Sequence, residues 1–162
     1  MVGIAALVIG YLLGSVSPAY FLGRLLKGID IRKHGGHFAG TTNVYHVLGL
    51  GPAAITAIYD VSKGILAMLA SAYLLKAPAM FVYLSGVFAM IGHIFPFYIG
   101  FRGGYGVGVA TGLLLSFLTI FLKSGWLSWF NLVLLAGFTL GFYVIFRRGD
   151  MIGLFILPIL YF

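Results

Sequence analysis

The chain has 162 residues, 62% of them hydrophobic and 8% charged, with a mean hydropathy of +1.11, so lipid rather than water must face most of its surface. It contains no cysteine, which excludes disulfides, thiolate metal sites and cysteine nucleophiles. The net charge of +7 sets ten basic residues against Asp30, Asp60 and Asp150; with the basic residues in short loops between apolar runs and no nucleic-acid motif, the expected partner is the membrane and its anionic lipids, not nucleic acid.

In chain order, residues 1–23 form an uncharged run long enough to span about 30 Å of hydrocarbon, without a basic n-region or a cleavage site. The run is followed at once by Arg24, Lys27, Arg32 and Lys33. It reads as a retained helix with its N-terminus outside. Further crossings are expected within 44–75, 77–91, 105–122 and 126–146, with a last segment from 151 onward. That last segment has twelve residues and would rise only about 18 Å as a helix. The expected architecture is an all-α, polytopic helical bundle of about six transmembrane segments over residues 1–162, one membrane domain, with loops 27–43, 92–104 and 147–150 cytoplasmic. Arg24, Lys27, Arg32, Lys33, Arg102, Arg147 and Arg148 then lie inside, and Lys76 and Lys123 outside, as the positive-inside rule requires. Trp126 and Trp129 read as interface anchors near the outer turn at Lys123.

Three features break the apolar pattern. Gly10-Tyr-Leu-Leu-Gly14 and Gly137-Phe-Thr-Leu-Gly141 are spaced for close helix approach within the bundle. Asp60 and Lys63 share one helix face inside the second segment, either as an ion pair that eases insertion or as a pair lining a cavity. The absence of an inverted repeat argues against a secondary transporter.

Two loops bring polar groups together. Residues 28–44 combine Arg32, Lys33, His34, His37, Thr42 and Asn43 with glycines just before a helix start, where backbone N–H groups favour an anion; a solvated basic loop is the alternative. Residues 92–112 hold seven glycines around His93 and Arg102. Glycines let successive N–H groups converge on a phosphate with Arg102 as a clamp, although no Walker lysine and hydroxyl follow; a plain glycine hinge is the alternative. His93 can carry a proton or orient a phosphate. His34 and His37 lack the further ligands a metal needs, so no metal is expected. Three scattered aspartates leave no paired carboxylates for acid and base chemistry. Handling of a phosphate-bearing metabolite or lipid remains.

The motifs of this chain resemble those of the bacterial acyl-phosphate:glycerol-3-phosphate acyltransferases of membrane phospholipid synthesis. The likeness runs through Tyr11-Leu-Leu-Gly-Ser-Val-Ser-Pro-Ala-Tyr-Phe-Leu-Gly-Arg24, Gly28-Ile-Asp-Ile-Arg32, Gly40-Thr-Thr-Asn-Val44 and Asp60-Val-Ser-Lys-Gly64, and is closest at Gly92-His-Ile-Phe-Pro96 with Gly100-Phe-Arg-Gly-Gly104. It implies seven crossings in the family, an inner-membrane location and a cytoplasmic site. The implied reaction passes an acyl group from acyl phosphate to the 1-hydroxyl of glycerol 3-phosphate, or acts on a related phosphorylated lipid, with no cofactor. The residues it implies are His93 and Asn43 for catalysis, and Arg32, Thr42, Asn43, Lys63, Arg102, Gly103, Gly104 and Gly106 for substrate.

The chain also departs from the family pattern. Gly36 stands at the family's serine position, Phe38 at its first asparagine and His46 at its arginine, and Tyr105 replaces the lysine of the glycine loop. After the fifth segment, Arg147-Arg-Gly-Asp-Met-Ile-Gly153 lacks the family's serines, and the seventh helix with its His-x-x-Asn motif is absent up to Phe162. Two readings follow: an acyltransferase with altered rate or substrate, and a catalytically silenced relative serving as a lipid-binding or structural subunit beside other membrane subunits.

Overall fold

A computed structural model describes the backbone of residues 1–124 and the side chains of residues 1–117. The described part is helical: α1 (Val2–Ser15), α2 (Pro18–Lys27), α3 (Thr41–Leu48), α4 (Leu50–Leu69), α5 (Ala79–Ile94) and α6 (Val107–Ser124). Three stretches are long and apolar enough to cross a membrane, Val2–Lys27, Leu50–Leu74 and Ala79–Ile99. The expected segments 126–146 and 151–162, with Trp126, Trp129, the Gly137–Gly141 motif and Arg147 to Asp150, lie outside the described residues.

The first crossing is two helices rather than one. Pro18 has no N–H, so the i to i−4 bond to the Gly14 carbonyl cannot form. The chain leaves helical geometry at Val16, and Ser17 caps α2 by accepting from the Tyr20 N–H. The region 44–75, expected as one crossing, begins as the short helix α3. Gly49, at φ +93°, turns the chain into α4, which widens into a π turn over Ala70–Leu74.

Glycine sets how closely these helices pack. A Cβ on Gly10 would lie 2.2 Å from the Ser85 carbonyl oxygen, and one on Gly14 only 1.9 Å from that of Ala89. Gly92 of α5 returns the contact, with the Tyr11 carbonyl oxygen 2.2 Å from its missing Cβ. The GxxxG motif is therefore used inside the bundle, between α1 and α5, which run parallel. On α6, Gly108 lies against Asp60 and Gly112 against the Val61 carbonyl, so α6 runs parallel to α4.

The two polar loops are fastened to each other. The Arg32 guanidinium grips both Asp30 oxygens, Nε to Oδ1 at 2.9 Å and Nη2 to Oδ2 at 2.7 Å. Its Nη1 crosses to the Ile99 carbonyl and, at 3.0 Å, to that of Arg102, while the guanidinium lies 5.1 Å from the Tyr20 ring centroid. The Ala39 N–H donates to the Gly103 carbonyl at 3.1 Å. The side-chain hydrogen bond from Arg32 holds the Asp30 carboxyl below its ordinary value of 3.8.

Two outcomes follow from this packing. Because a side chain on Gly14 has only backbone to displace, Gly14→Ala is expected to cost about 1–3 kcal/mol or more, read as a lower unfolding temperature in detergent. Gly51→Ala, with nothing within 4 Å, should be neutral or stabilising. For Asp30, a folded pKa below the unfolded one means the clasp is at full strength above pH 3.8 and is lost as pH falls through the depressed folded value. Hydrogen exchange of residues 28–40 should therefore show protection at neutral pH that collapses only in more acidic solution. Asp30→Asn should expose the loop already at neutral pH and abolish the acid step.

Candidate functional site

The most buried charged group among the described residues is Lys63, at 0% exposure. Its Nζ donates to the Gly14 carbonyl at 3.3 Å and to the Val16 carbonyl at 3.0 Å, and lies 2.9 Å from Nδ1 of His93. Asp60 Oδ1 sits 2.8 Å from the same nitrogen, off the line of a hydrogen bond, as its counter-charge. The same oxygen is 3.4 Å from His93 Nδ1. Asp60 and Lys63 thus do more than neutralise one another along a helix face. With His93 they form a buried cluster that joins α1, α4 and α5.

The cluster completes the break in the first crossing. Pro18 cannot bond the Gly14 carbonyl, and the Tyr20 and Phe21 N–H groups both turn to Ser17, so Gly14 and Val16 present bare carbonyls that Lys63 satisfies. The carbonyl between them, Ser15, accepts from the Tyr98 hydroxyl at 2.9 Å, and the Ser17 N–H donates back to that hydroxyl at 3.0 Å. Sequence reasoning passed over Tyr98. The missing N–H of Pro18 was the available signal, since it leaves a carbonyl in need of a donor from elsewhere in the chain.

His93 lies under the glycine loop. The Gly103 N–H donates to the Ile94 carbonyl at 2.9 Å and the Gly104 N–H to that of His93 at 3.2 Å. A Cβ on Gly103 would meet the His93 carbonyl oxygen at 2.0 Å, and one on Gly104 would meet His93 Nε2 at 2.3 Å and the Ala39 carbonyl oxygen at 2.5 Å. Gly103 and Gly104 are thus glycines for close approach, and their N–H groups close the end of α5 rather than converge on a phosphate. Gly106, at φ +80°, turns the chain into α6, whose first N–H groups have no i−4 carbonyl within the helix.

The other expected site residues divide in two. Asn43 is buried and wholly engaged: Nδ2 reaches the carbonyls of Ile31, His34 and Phe38 at 2.9, 3.0 and 2.8 Å, and Oδ1 accepts from the Gly36 N–H at 2.6 Å. It shapes the 31–38 loop, where the sequence had suggested contact with reacting groups. Arg32 is occupied by Asp30 and two carbonyls, and Lys63 is sealed in the bundle, so neither side chain is turned outward to receive a phosphate as expected. Thr42 and Arg102 are exposed beside the loop. His34 turns back, with Nδ1 3.0 Å from the Asp30 carbonyl oxygen, and the described residues hold no group of three potential metal ligands.

The departures at Gly36, Phe38 and Tyr105 are neighbours. The Phe38 and Tyr105 rings lie 4.5 Å apart, centroid to centroid, and Phe38 Cε1 is 2.7 Å from where a Cβ on Gly36 would be. His46 stands apart from them, exposed on α3 against Tyr45.

Comparison with known proteins agrees with this picture. The family model for glycerol-3-phosphate acyltransferase matches residues 4–162. The glycerol-3-phosphate acyltransferase of Halalkalibacterium halodurans is 46% identical over 68% of this chain and 54% of its own length. That of Shouchella clausii is 44% identical over 71% and 57%, and that of Dehalococcoides mccartyi, glycerol-3-phosphate acyltransferase 1, 41% over 72% and 56%. The chain therefore spans about half the length of the curated relatives it matches. Two crystal structures of PlsY, an integral membrane glycerol 3-phosphate acyltransferase, share the fold. The glycerol 3-phosphate form matches with TM-score 0.67 and 23% identity over 95% of this chain and 92% of that one. The lysophosphatidic acid form matches with TM-score 0.68 and 20% identity over the same shares. With its helices suited to crossing a membrane, its glycine loop seated on His93 and these matches over most of its length, the chain belongs to the glycerol-3-phosphate acyltransferase family.

Proposed function

We propose that this protein transfers an acyl group from acyl phosphate to the 1-hydroxyl of glycerol 3-phosphate, releasing lysophosphatidic acid and inorganic phosphate at the cytoplasmic face of the inner membrane. The observation that carries the proposal is the paired loop system, 28–40 against 97–104, clasped by Arg32 and seated on His93 at one end of the helices. Relatives at 46%, 44% and 41% identity bear the acyltransferase name, and the PlsY structures are of its glycerol 3-phosphate and lysophosphatidic acid forms. These weigh for an enzyme and against a silent subunit. In this reading the N-terminus is outside, residues 1–162 form one membrane domain of about six segments, and the loops 27–43, 92–104 and 147–150 face the cytoplasm.

The chemistry asks little of covalent catalysis. Acyl phosphate is already activated, so the protein must hold two anions with the acceptor hydroxyl against the acyl carbon and stabilise the oxyanion that forms. We assign binding to Arg102, Thr42 and the N-terminal N–H groups of α6 entered through Gly106, where an incoming phosphate meets the positive end of a helix dipole. Asn43, Arg32, Lys63, Gly103, Gly104 and His93 hold that surface in shape. No cofactor enters, because the leaving phosphate supplies the driving force.

Reconstituted protein supplied with acyl phosphate and radiolabelled glycerol 3-phosphate should form labelled lysophosphatidic acid. Arg102→Ala should lower kcat/KM by about 10- to 100-fold, the size expected for one lost charged hydrogen bond of about 1.5–3 kcal/mol. Gly36→Ser alone should not raise the rate, because the Phe38 ring occupies the space a Cβ needs, whereas Gly36→Ser with Phe38→Asn and Tyr105→Lys should raise it. No product from either the native chain or the triple variant, both shown to be folded in the bilayer, would refute the proposal.

A further inference from the structure

An ammonium group only donates, and Lys63 Nζ has three hydrogens. Three hydrogen-bonding partners surround it: the Gly14 carbonyl, the Val16 carbonyl and His93 Nδ1. Asp60 Oδ1, though 2.8 Å away, takes no hydrogen bond and compensates the charge. A contact of 2.9 Å between an ammonium and Nδ1 requires a hydrogen from one side and a lone pair from the other. The lone pair must belong to Nδ1, because an imidazole N–H facing an ammonium N–H at that distance would be repulsive. The competing arrangement puts a proton on Nδ1 and aims it at Asp60 Oδ1, 3.4 Å away. That would satisfy the carboxylate oxygen but leave the short contact between the two nitrogens without a hydrogen bond.

We propose that Lys63, with Asp60 as its counter-charge, is a positioning residue that holds His93 as the neutral tautomer with its proton on Nε2, so that a fixed N–H donor lies beneath the glycine loop. Nε2 and the Ala39 carbonyl oxygen flank the same side of Gly104, at 2.3 and 2.5 Å from the place a Cβ would take. One ring nitrogen therefore reads the helix break through Lys63, and the other meets the point where the two loops pair. His93 in this arrangement cannot take a proton at Nε2, so it acts as a rigid donor and support and not as a general base. The inference does not depend on turnover of acyl phosphate, because the tautomer is defined in the protein without substrate.

The test is the protonation pattern of His93 in the full chain, labelled with 15N-histidine and reconstituted in lipid nanodiscs at neutral pH. The His93 signals are separated from those of the exposed His34, His37 and His46 by their loss in His93→Asn. The expected spectrum has an acceptor-type nitrogen at Nδ1 and a protonated nitrogen at Nε2. Lys63→Met removes the donor and should bring up a form protonated at Nδ1, facing Asp60, at the expense of the first. Lys63→Arg, which keeps donors at the end of a long side chain, should retain the original pattern. A proton on Nδ1 in the native protein, alone or together with one on Nε2, overturns the proposal, as does a Lys63→Met spectrum unchanged from the native one. If Lys63→Met fails to reconstitute, the native spectrum alone decides.

Discussion

The structure depends on one ammonium group placed where water cannot reach it. A lysine buried in a bundle of apolar helices is tolerated only if its hydrogens and its charge are both answered. Here the answers come from three different elements: carbonyls of α1, a histidine of α5 and an aspartate one turn earlier on α4. The dependence is mutual. The α1 carbonyls are bare because Pro18 interrupts the helix, and in a bilayer a bare carbonyl is costly unless protein supplies a donor. The break and the buried charge each remove the other's penalty. Loss of one partner strands the rest, which is why removing one member of a buried pair costs about 3–5 kcal/mol, far more than the pair's net contribution to stability.

From that cluster the constraint runs outward to the polar end of the molecule. His93 is held at Nδ1 by Lys63 and met at Nε2 by Gly104, so the width of one imidazole ring separates the glycine loop from the Lys63 ammonium. The neighbouring loop is pinned to the same level by the Ala39 to Gly103 backbone bond and by Arg32, which spends its guanidinium on Asp30 and the carbonyls of Ile99 and Arg102. Residues that look like ligands in isolation therefore serve as fasteners. Of the expected site residues with side chains, Arg102 and Thr42 are the ones left exposed.

What could be read from the sequence follows the range of the interactions. Apolar run length marked the spans, and glycine spacing marked Gly10 and Gly14 as a packing face, because both signals are local. The spacing of Asp60 and Lys63 told that they share a face, but not that His93, thirty residues later, completes the set; nothing in a helix period encodes a contact between helices. The glycine loop stands out in the sequence, but its physical reason does not. Dense glycine is equally the mark of N–H groups gathered on a phosphate and of backbone pressed against backbone, and at Gly103 and Gly104 the second applies. The chemistry of Asn43 and Arg32 suits a ligand, but it is consumed by carbonyls, the Gly36 N–H and the Asp30 carboxylate, most of which only the folded loops bring within reach.

The same geometry changes how the departures from the family pattern should be weighed. Counted along the sequence, Gly36, Phe38 and Tyr105 are separate losses of polar groups, and their costs would be summed. In space they form one contact: the Phe38 ring fills the volume beside Gly36 and packs on Tyr105. Substitutions that share a surface are not additive. A bulky ring at position 38 is compatible with glycine at 36 and would crowd anything larger, and the ring at 105 gives it an aromatic partner, an arrangement worth about 0.5–1.5 kcal/mol beyond burial. The three therefore amount to a single aromatic corner of the loop system, which shares no residue with the Lys63 cluster or the Arg32 clasp. A change confined to that corner alters what the loops can touch without disturbing what holds them.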